Sequence, residues 1–449
     1  MKPTGILFFP AFDWAISPTH PEREERLLYT RDQLFEEGIL DLPQIKEYKP
    51  ALALFKDIAR VHFCVPDIEK SITEAHLIAA GSAIKLADAF MQGEIKNGFA
   101  IIRPPGHHSM TVSHGNRGFC NINNEAIMIE YLRKKYRLKK IAVIDTDVHH
   151  GDGTQEIYYN DPDVLFISFH QDGRTLYPGT GFTNELGNGR GYGATINIPL
   201  LPRTTDEEIH YVLDNLVLPV LNDFKPDLIV NSAGQDNHYT DPLADMCFTA
   251  QGYALLNHKL KPDVAVLEGG YSVETALPYI NMGIIMAMAG LDFSNLREPD
   301  YNPQRFRESS SHLEYLKRLV EKQLSVYQKR NETVAEQYEK AGEKFYVEEK
   351  SIFYDTEYIY ESQINKLRLC PNCPGYRLID SKARHRDGKS YHIYCVSIPV
   401  NCCDSCHSEA LRAYKDISVS SFYDIVYLQD RINDEYISLN KNSGIEKVL

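Results

Sequence analysis

No apolar run in this chain reaches the ~18–20 residues that a bilayer span requires, so the sequence gives no reason to expect a membrane protein. The N-terminus, MKPTGILFFPAFDW, offers one lysine and no small-residue cleavage site. GILFF is therefore expected to be a first strand rather than a signal peptide, and the protein is expected to be cytoplasmic. There is no internal repeat and no low-complexity segment. Positive charge is scarce: 48 Lys and Arg stand against 62 Asp and Glu, a net charge of −14. That balance argues against general nucleic-acid binding by the chain as a whole. A spread of cysteines is also missing. Six of the nine lie between Cys370 and Cys406, which points to a local metal site in a reducing compartment, not a disulfide framework.

What remains is an ordinary globular composition, 43% hydrophobic and 24% charged over 449 residues, enough for a large core and a second unit. Strand-like runs (GILFF, GFAII, KIAVID, VLFISFH, ATINIPL, DLIVNSAG, DVAVLEGG) alternate with helical patterns at Ile68–Met91, Asn124–Tyr136, Asp206–Asp223 and Val273–Ala289. Strands apolar on both faces and alternating with helices predict an α/β fold with a central, mostly parallel sheet. Near Leu296 the character changes. Asn302–Ser311 is polar and irregular, and Ser311–Lys344 reads as a long helix, either a packing arm or a partner-binding element. The expected division is a catalytic domain over 1–295, a helical linker over 296–360 and a cysteine-rich domain over 361–449.

Two motifs carry chemistry, RPPGHHSM at Arg103–Met110 and DTDVHHGDG at Asp145–Gly153. A strand alternates its faces, so Asp145, Asp147 and His149, at the end of the apolar strand Ile141–Ile144, are expected to project to the same side. Asp147 and His149 are candidate metal ligands, and Asp241 in NSAGQDNHYTDPLAD is the candidate third. Two carboxylates and one imidazole suit Zn²⁺, and also Fe²⁺ or Co²⁺, with positions left for water and substrate. His107 and His108 are candidate acid and base, oriented by Asp145 and Asp152. Tyr271 in LEGGYS is a candidate donor to a developing oxyanion.

RPPGHH, GFCNINNEA, DTDVHHGDGTQ, YPGTG, SAGQD…DP and GGY occur in the order seen in the histone deacetylase superfamily, which includes acetylpolyamine amidohydrolases and acetoin-utilisation proteins. The chain resembles that superfamily over about residues 5–290, and HPEREER at His20–Arg26 resembles its N-terminal signature. The resemblance implies an arginase/deacetylase-like three-layer fold. It implies catalytic Zn²⁺ held by Asp147, His149 and Asp241, with His107 and His108 backed by Asp145 and Asp152, and Tyr271 at the transition state. It further implies Phe119 and Tyr177 as walls of an acyl channel. A K⁺ site would be formed by Asp145, Asp147, His149, Ser168 and Phe169, with a supporting role for Arg26. The implied reaction is hydrolysis of an acetylated amine, on protein lysine or on a polyamine. The chain departs from the family's commoner patterns at GQD, through Gln235, and at EGGY.

CPNC at Cys370–Cys373 and CDSC at Cys403–Cys406 are two CxxC knuckles 29 residues apart, resembling a zinc ribbon with a structural second Zn²⁺. Separately reactive thiols are the alternative, and Cys395 and Cys402 are spare. Between the knuckles, Lys382, Arg384, His385, Arg386 and Lys389 form either a solvated hairpin or a contact for nucleic acid or an acidic partner. The expected function is thus a zinc-dependent deacetylase. The alternatives are a non-catalytic binder of acyl groups or nucleic acid, and a same-fold hydrolase of another amide. The oligomeric state is left open.

Overall fold

A computed structural model describes residues 2–299, 301–302, 306, 310–340, 344–386 and 388–449. Most of the polar segment expected at 302–311 lies outside them. The strands of the first unit are β1 (Thr4–Phe9), β2 (Ile45–Tyr48), β3 (Phe63–Cys64), β4 (Asn97–Ile102), β5 (Val112–Ser113) and β6 (Ile141–Asp145). They continue with β7 (Val164–Gln171), β8 (Thr195–Leu200), β9 (Leu228–Ala233) and β10 (Val264–Leu267). Eight of them form one sheet in the order β2-β1-β4-β10-β9-β6-β7-β8, with every neighbouring pair parallel. The remaining two, β3 and β5, pair with each other.

The apolar strands follow from burial on both faces. Along β1, Ile6 packs into one apolar layer and Leu7 into the other. The helices Glu74–Met91 and Asn124–Tyr136 cover one side, and Ala250–Leu260 and Leu277–Ala289 cover the opposite side. The segment expected as one helix over 68–91 is broken, because Ile72 is extended and Thr73 starts a new helix. The segment over 206–223 holds a wide turn at Leu213–Val217, just before Pro219, which has no N–H to give a regular helix. The long helix is Ser310–Lys340. It lies along β8, where the Gln323 amide donates to Asn197 O (2.9 Å) and the Tyr315 hydroxyl to Pro199 O (2.8 Å).

The C-terminal unit is larger than a ribbon. Its strands are β11 (Phe345–Tyr354), β12 (Ile359–Arg368), β13 (Arg377–Arg384), β14 (Ser390–Ile398), β15 (Ile425–Asp430), β16 (Glu435–Asn440) and β17 (Ile445–Val448). They form a second sheet in that order, antiparallel except for β14–β15, which the helix Asp404–Ser418 connects as a parallel crossover. The sheet begins at Phe345, inside the stretch expected to be linker. From Glu348 to Tyr354 that stretch alternates more and less exposed residues, as a half-covered antiparallel strand does.

The two units are joined through buried polar groups. Tyr427 donates its hydroxyl to Cys64 O (2.9 Å), and Gln429 its amide to Ala59 O (2.8 Å). Arg377 bonds Glu156 Oε1 and Thr111 Oγ1, each at 2.6 Å. Burial opposes ionisation of Glu156, but Arg377 overrides it and brings the carboxyl down from the ordinary 4.5 to about 2. The native state therefore gains stability from this carboxylate above pH 4.5 and loses it as pH falls toward 2. The loss is about 3 kcal/mol. Arg377→Met strands the carboxylate and is expected to cost about 3–5 kcal/mol at neutral pH. Urea unfolding from pH 7 to pH 2 checks both values. A variant as stable as the parent at pH 7 would remove this pair from the account.

Candidate active site

The four central strands of the parallel sheet, β4, β10, β9 and β6, are adjacent, and each ends at one of the motif loops. His107 and His108 follow β4, Asp145 to His149 run from the end of β6, Gln235 and Asp236 follow β9, and Glu268 to Tyr271 follow β10. The carboxyl ends of parallel strands are where an open α/β sheet gathers its ligands. Strand β6 stops at Asp145, so Asp147 and His149 converge through the loop beyond it, not through strand alternation.

The donor atoms that cluster belong to Asp147, His149 and Asp236, all within 4.8 Å of one another. His149 Nδ1 lies 3.1 Å from both Asp147 Oδ1 and Asp236 Oδ2. The expected third ligand, Asp241, is not in this cluster. Its two oxygens accept from Tyr271 N (2.6 Å) and Leu243 N (3.0 Å), so it braces the tyrosine loop instead. Asp236 stands directly after Gln235, closer to the strand end, and the first Asp after the strand was the overlooked signal. Gly234 and Gly269 lie so close to the Asp147 carboxylate that a Cβ at either position would overlap it.

Burial opposes protonation of His149, yet Asp147 and Asp236 carry its imidazole up to about 10. Burial pushes the Asp236 carboxyl upward, and the neighbouring Asp147 adds to this. Two carboxylates and an imidazole are thus buried together with little solvent to screen them. A divalent cation suits such a site, and an N/O donor set of this kind fits Zn²⁺.

The histidine pair lies beside the cluster with ring centroids 4.1 Å apart. His107 Nδ1 is 3.1 Å from Asp145 Oδ2, and His108 Nδ1 is 2.9 Å from Asp152 Oδ1. The two environments separate the pair. Burial works against a charge on His107, but Asp147 and Asp145 raise its pKa well above the usual range. Burial and the neighbouring His107 push His108 down to about 3. Arg117, which the motifs did not flag, grips Asp152 through Nη1 (2.8 Å) and Nη2 (2.5 Å). Glu268, noted only as the first letter of EGGY, accepts from Gly106 N (2.6 Å) and His107 N (3.0 Å), fixing the histidine loop.

Tyr271 is buried, and burial keeps its phenol protonated. Arg26 holds its loop through Gly270 O (2.8 Å) and Glu268 O, with the guanidinium 4.8 Å from the Tyr271 ring. Glu22 is buried between Arg26 and Arg103. Phe119 sits 5.5 Å from the Tyr271 ring, and Tyr177 lies 5.1 Å from His108 and 6.4 Å from His149. Gln235 turns away to Asn281 (2.5 Å). Ser168 pairs with Asp145 across β6 and β7, its hydroxyl bonded to His170 (2.8 Å), and Phe169 follows on β7.

The C-terminal unit reaches this site. Asp355, in the turn after β11, accepts from Gly118 N (2.8 Å), and Glu357 accepts from Asn116 N (2.7 Å). Both bonds hold the loop that carries Phe119. Elsewhere in this unit, Cys370, Cys373, Cys403 and Cys406 bring their sulfurs within 4.8 Å of one another. Four thiols at that spacing fit a closed tetrahedral Zn²⁺ site. Of the spare cysteines, Cys395 is buried against the catalytic unit, and Cys402 is half-buried beside the cluster.

This parallel α/β sheet and its strand-end loops are shared with proteins of a known family. The model of the histone deacetylase domain matches residues 66–284. A "Probable deacetylase" of Archaeoglobus fulgidus is 46% identical over 356 residues, covering 73% of this chain and 98% of that protein. A "Histone deacetylase-like amidohydrolase" of Pseudomonas aeruginosa is 36% identical, covering 51% of this chain and 66% of the relative. A "Polyamine deacetylase HDAC10" of Danio rerio is 34% identical, covering 57% and 38%. The solved structure titled "Crystal Structure of HDA15 HD domain" superposes with a TM-score of 0.63 at 25% identity, covering 76% of this chain and 99% of that one. The chain belongs to the histone deacetylase family and is a hydrolytic deacetylase.

Asp236 and Asp241 are separable by metal content. Asp236→Ala is expected to lower zinc affinity by more than about 100-fold, while Asp241→Ala, a bracing change, loses about 10–100-fold at most. Competition with a chelator measures both, and the reverse order would return Asp241 to the ligand set.

Proposed function

We propose that this chain removes the acetyl group from an acetylated primary amine, on a lysine side chain or a polyamine, by zinc-dependent hydrolysis. The observation that carries this reading is the buried cluster of Asp147, His149 and Asp236 beside two histidines of opposite electrostatic character. Zinc held there would polarise the acyl carbonyl and lower the pKa of a water toward ~7. Phe119 and Tyr177 flank the acyl group and shut out bulk water. His108, kept neutral by burial, accepts the proton of the attacking water at Nε2 while Asp152 and Arg117 hold its Nδ1 side. His107, bonded to Asp145 through Nδ1, faces the same site and steadies negative charge as it develops. The Tyr271 phenol donates to the oxyanion, and the proton on His108 passes to the departing amine.

The catalytic unit is residues 1–295, the helix that follows is a packing arm, and the four-cysteine cluster is a structural zinc site that closes the second sheet unit. The placement of Ser168 opposite Asp145 supports the K⁺ expected beside the catalytic zinc. Among the described residues no helix is long and apolar enough to cross a membrane.

Acetate release by the zinc-loaded protein tests this reading on three substrate sets: acetylated lysine peptides, acetylated polyamines and simple acetylated amines. Turnover on at least one set is expected, with Tyr271→Phe reducing kcat about 10²–10³-fold. No release from any set by fully loaded protein would reject the deacetylase mechanism as written. Cys403→Ser is expected to lose one zinc equivalent and to lower the melting temperature of the C-terminal unit. Unchanged metal stoichiometry would remove the structural site.

A further inference from the structure

The second sheet has one face against the catalytic unit, through Ile379, Ile393, Cys395 and Ile425. On the opposite face the helix Asp404–Ser418 covers only one end, over Leu378, Val396 and Leu428. The strand register sets out what lies on the uncovered part. One row runs Phe353, Tyr360, Arg384, Ser390, and the next runs Ser351, Ser362, Lys382, His392. These residues line a basin of about 680 Å³.

Two properties of this face are unusual for an open surface. The first is its rings. Tyr360 and Phe422 are 67% and 65% exposed, and Phe353 is 39% exposed. Phe353 and Tyr360 lie 4.6 Å apart with planes 32° from parallel, and Phe422 packs against His392 at 4.7 Å. Large exposed rings grouped on one face mark a binding surface more often than a solvated one. The second is its charge. In a chain of net charge −14, Lys382, Arg384, Arg386 and Lys389 are all exposed on or beside this face. The Lys382 ammonium lies 5.6 Å from the Phe422 ring. Of the carboxylates on this face, Asp380 is held by His392 and Tyr423 and Asp424 by His392 N and Asn442, while Glu349 is exposed one row further along, toward the end away from Arg384.

We propose that this face binds single-stranded nucleic acid. Flat rings spaced along a sheet give unpaired bases a stacking platform, and the flanking cations follow the phosphates. Ser351, Ser362 and Ser390 place hydroxyls between the rings, within reach of base edges and sugar hydroxyls. An acidic protein segment would use the cations but has no planar groups to match the rings. The acidic remainder of the chain confines a polyanion to this face. The proposal does not depend on the deacetylase reading: Ser351 and Phe353 also line the cavity beside Arg117 and Tyr177, but Tyr360, Lys382, Arg384 and Phe422 do not.

The test uses the full zinc-loaded chain and fluorescence anisotropy with a 20-nucleotide oligo(U), an oligo(dT) and a duplex of the same length. Single strands are expected to bind more tightly than duplex. Tyr360→Ala and Phe422→Ala should each weaken binding roughly 5–100-fold. The double change Lys382→Gln with Arg384→Gln should reduce the salt dependence by about 1.4 in log–log slope. Acetate release and thermal melting of each variant, expected to match the parent, show that the fold is kept. No binding by the parent at low salt would overturn the proposal. So would duplex binding as tight as single-strand binding, or indifference to the ring changes. Equal displacement by poly-glutamate would also overturn it and assign the face to acidic proteins.

Discussion

Buried carboxylates tied to backbone amides of neighbouring loops are the constraint on which the site depends. Glu268, after β10, takes the amides of Gly106 and His107, after β4. Asp147, after β6, takes Gly269 N (2.7 Å), and Asp236, after β9, takes Val148 N (2.9 Å). Asp241 takes Tyr271 N. Each strand-end loop thus holds, or is held by, the loop of a nearby strand. Because charge-assisted bonds of this kind are short and directional, four separate loops behave as one rigid frame. A misplaced loop would also leave a buried carboxylate without its donor, a cost that keeps the frame in register.

This frame explains which parts of the site were legible in the sequence. The strands were, because burial on both faces leaves an unbroken apolar run, as in β6 and β7. The pairings His107–Asp145 and His108–Asp152 followed from the family motifs and have matching geometry. Asp241 was chosen over Asp236 although Asp236 lies nearer the end of β9; both follow that strand, and loop geometry puts Asp236 in the cluster and Asp241 on Tyr271 N. Arg117 and Glu268 act through residues distant in sequence, and no spacing rule reaches them. The second sheet was hidden for another reason. Its strands alternate tyrosine, serine and charged residues with buried ones, a weaker signature than a continuous apolar run.

The C-terminal unit is more than an appendage in physical terms. Asp355 and Glu357 clamp the backbone at Gly118 and Asn116, two positions that precede the positive-φ residue Phe119 (φ 71°). A non-glycine residue in that conformation needs support from its surroundings. Phe119 and the second sheet are mechanically linked, so the placing of that ring against Tyr271 is partly written in residues far downstream of the catalytic motifs.

The helix Ser310–Lys340 has a consequence for the exposed border of the parallel sheet. Strand β8 is its last strand, and the carbonyls of Asn197 and Pro199 would otherwise face outward as a template for another chain. Gln323 and Tyr315 occupy both. At the opposite border β2 is only four residues long and carries Lys46 and Glu47. One margin is sealed by side chains that imitate a neighbouring strand, and the other is too short and too charged to recruit one. The parallel sheet is thereby closed to growth by strand addition at both of its margins.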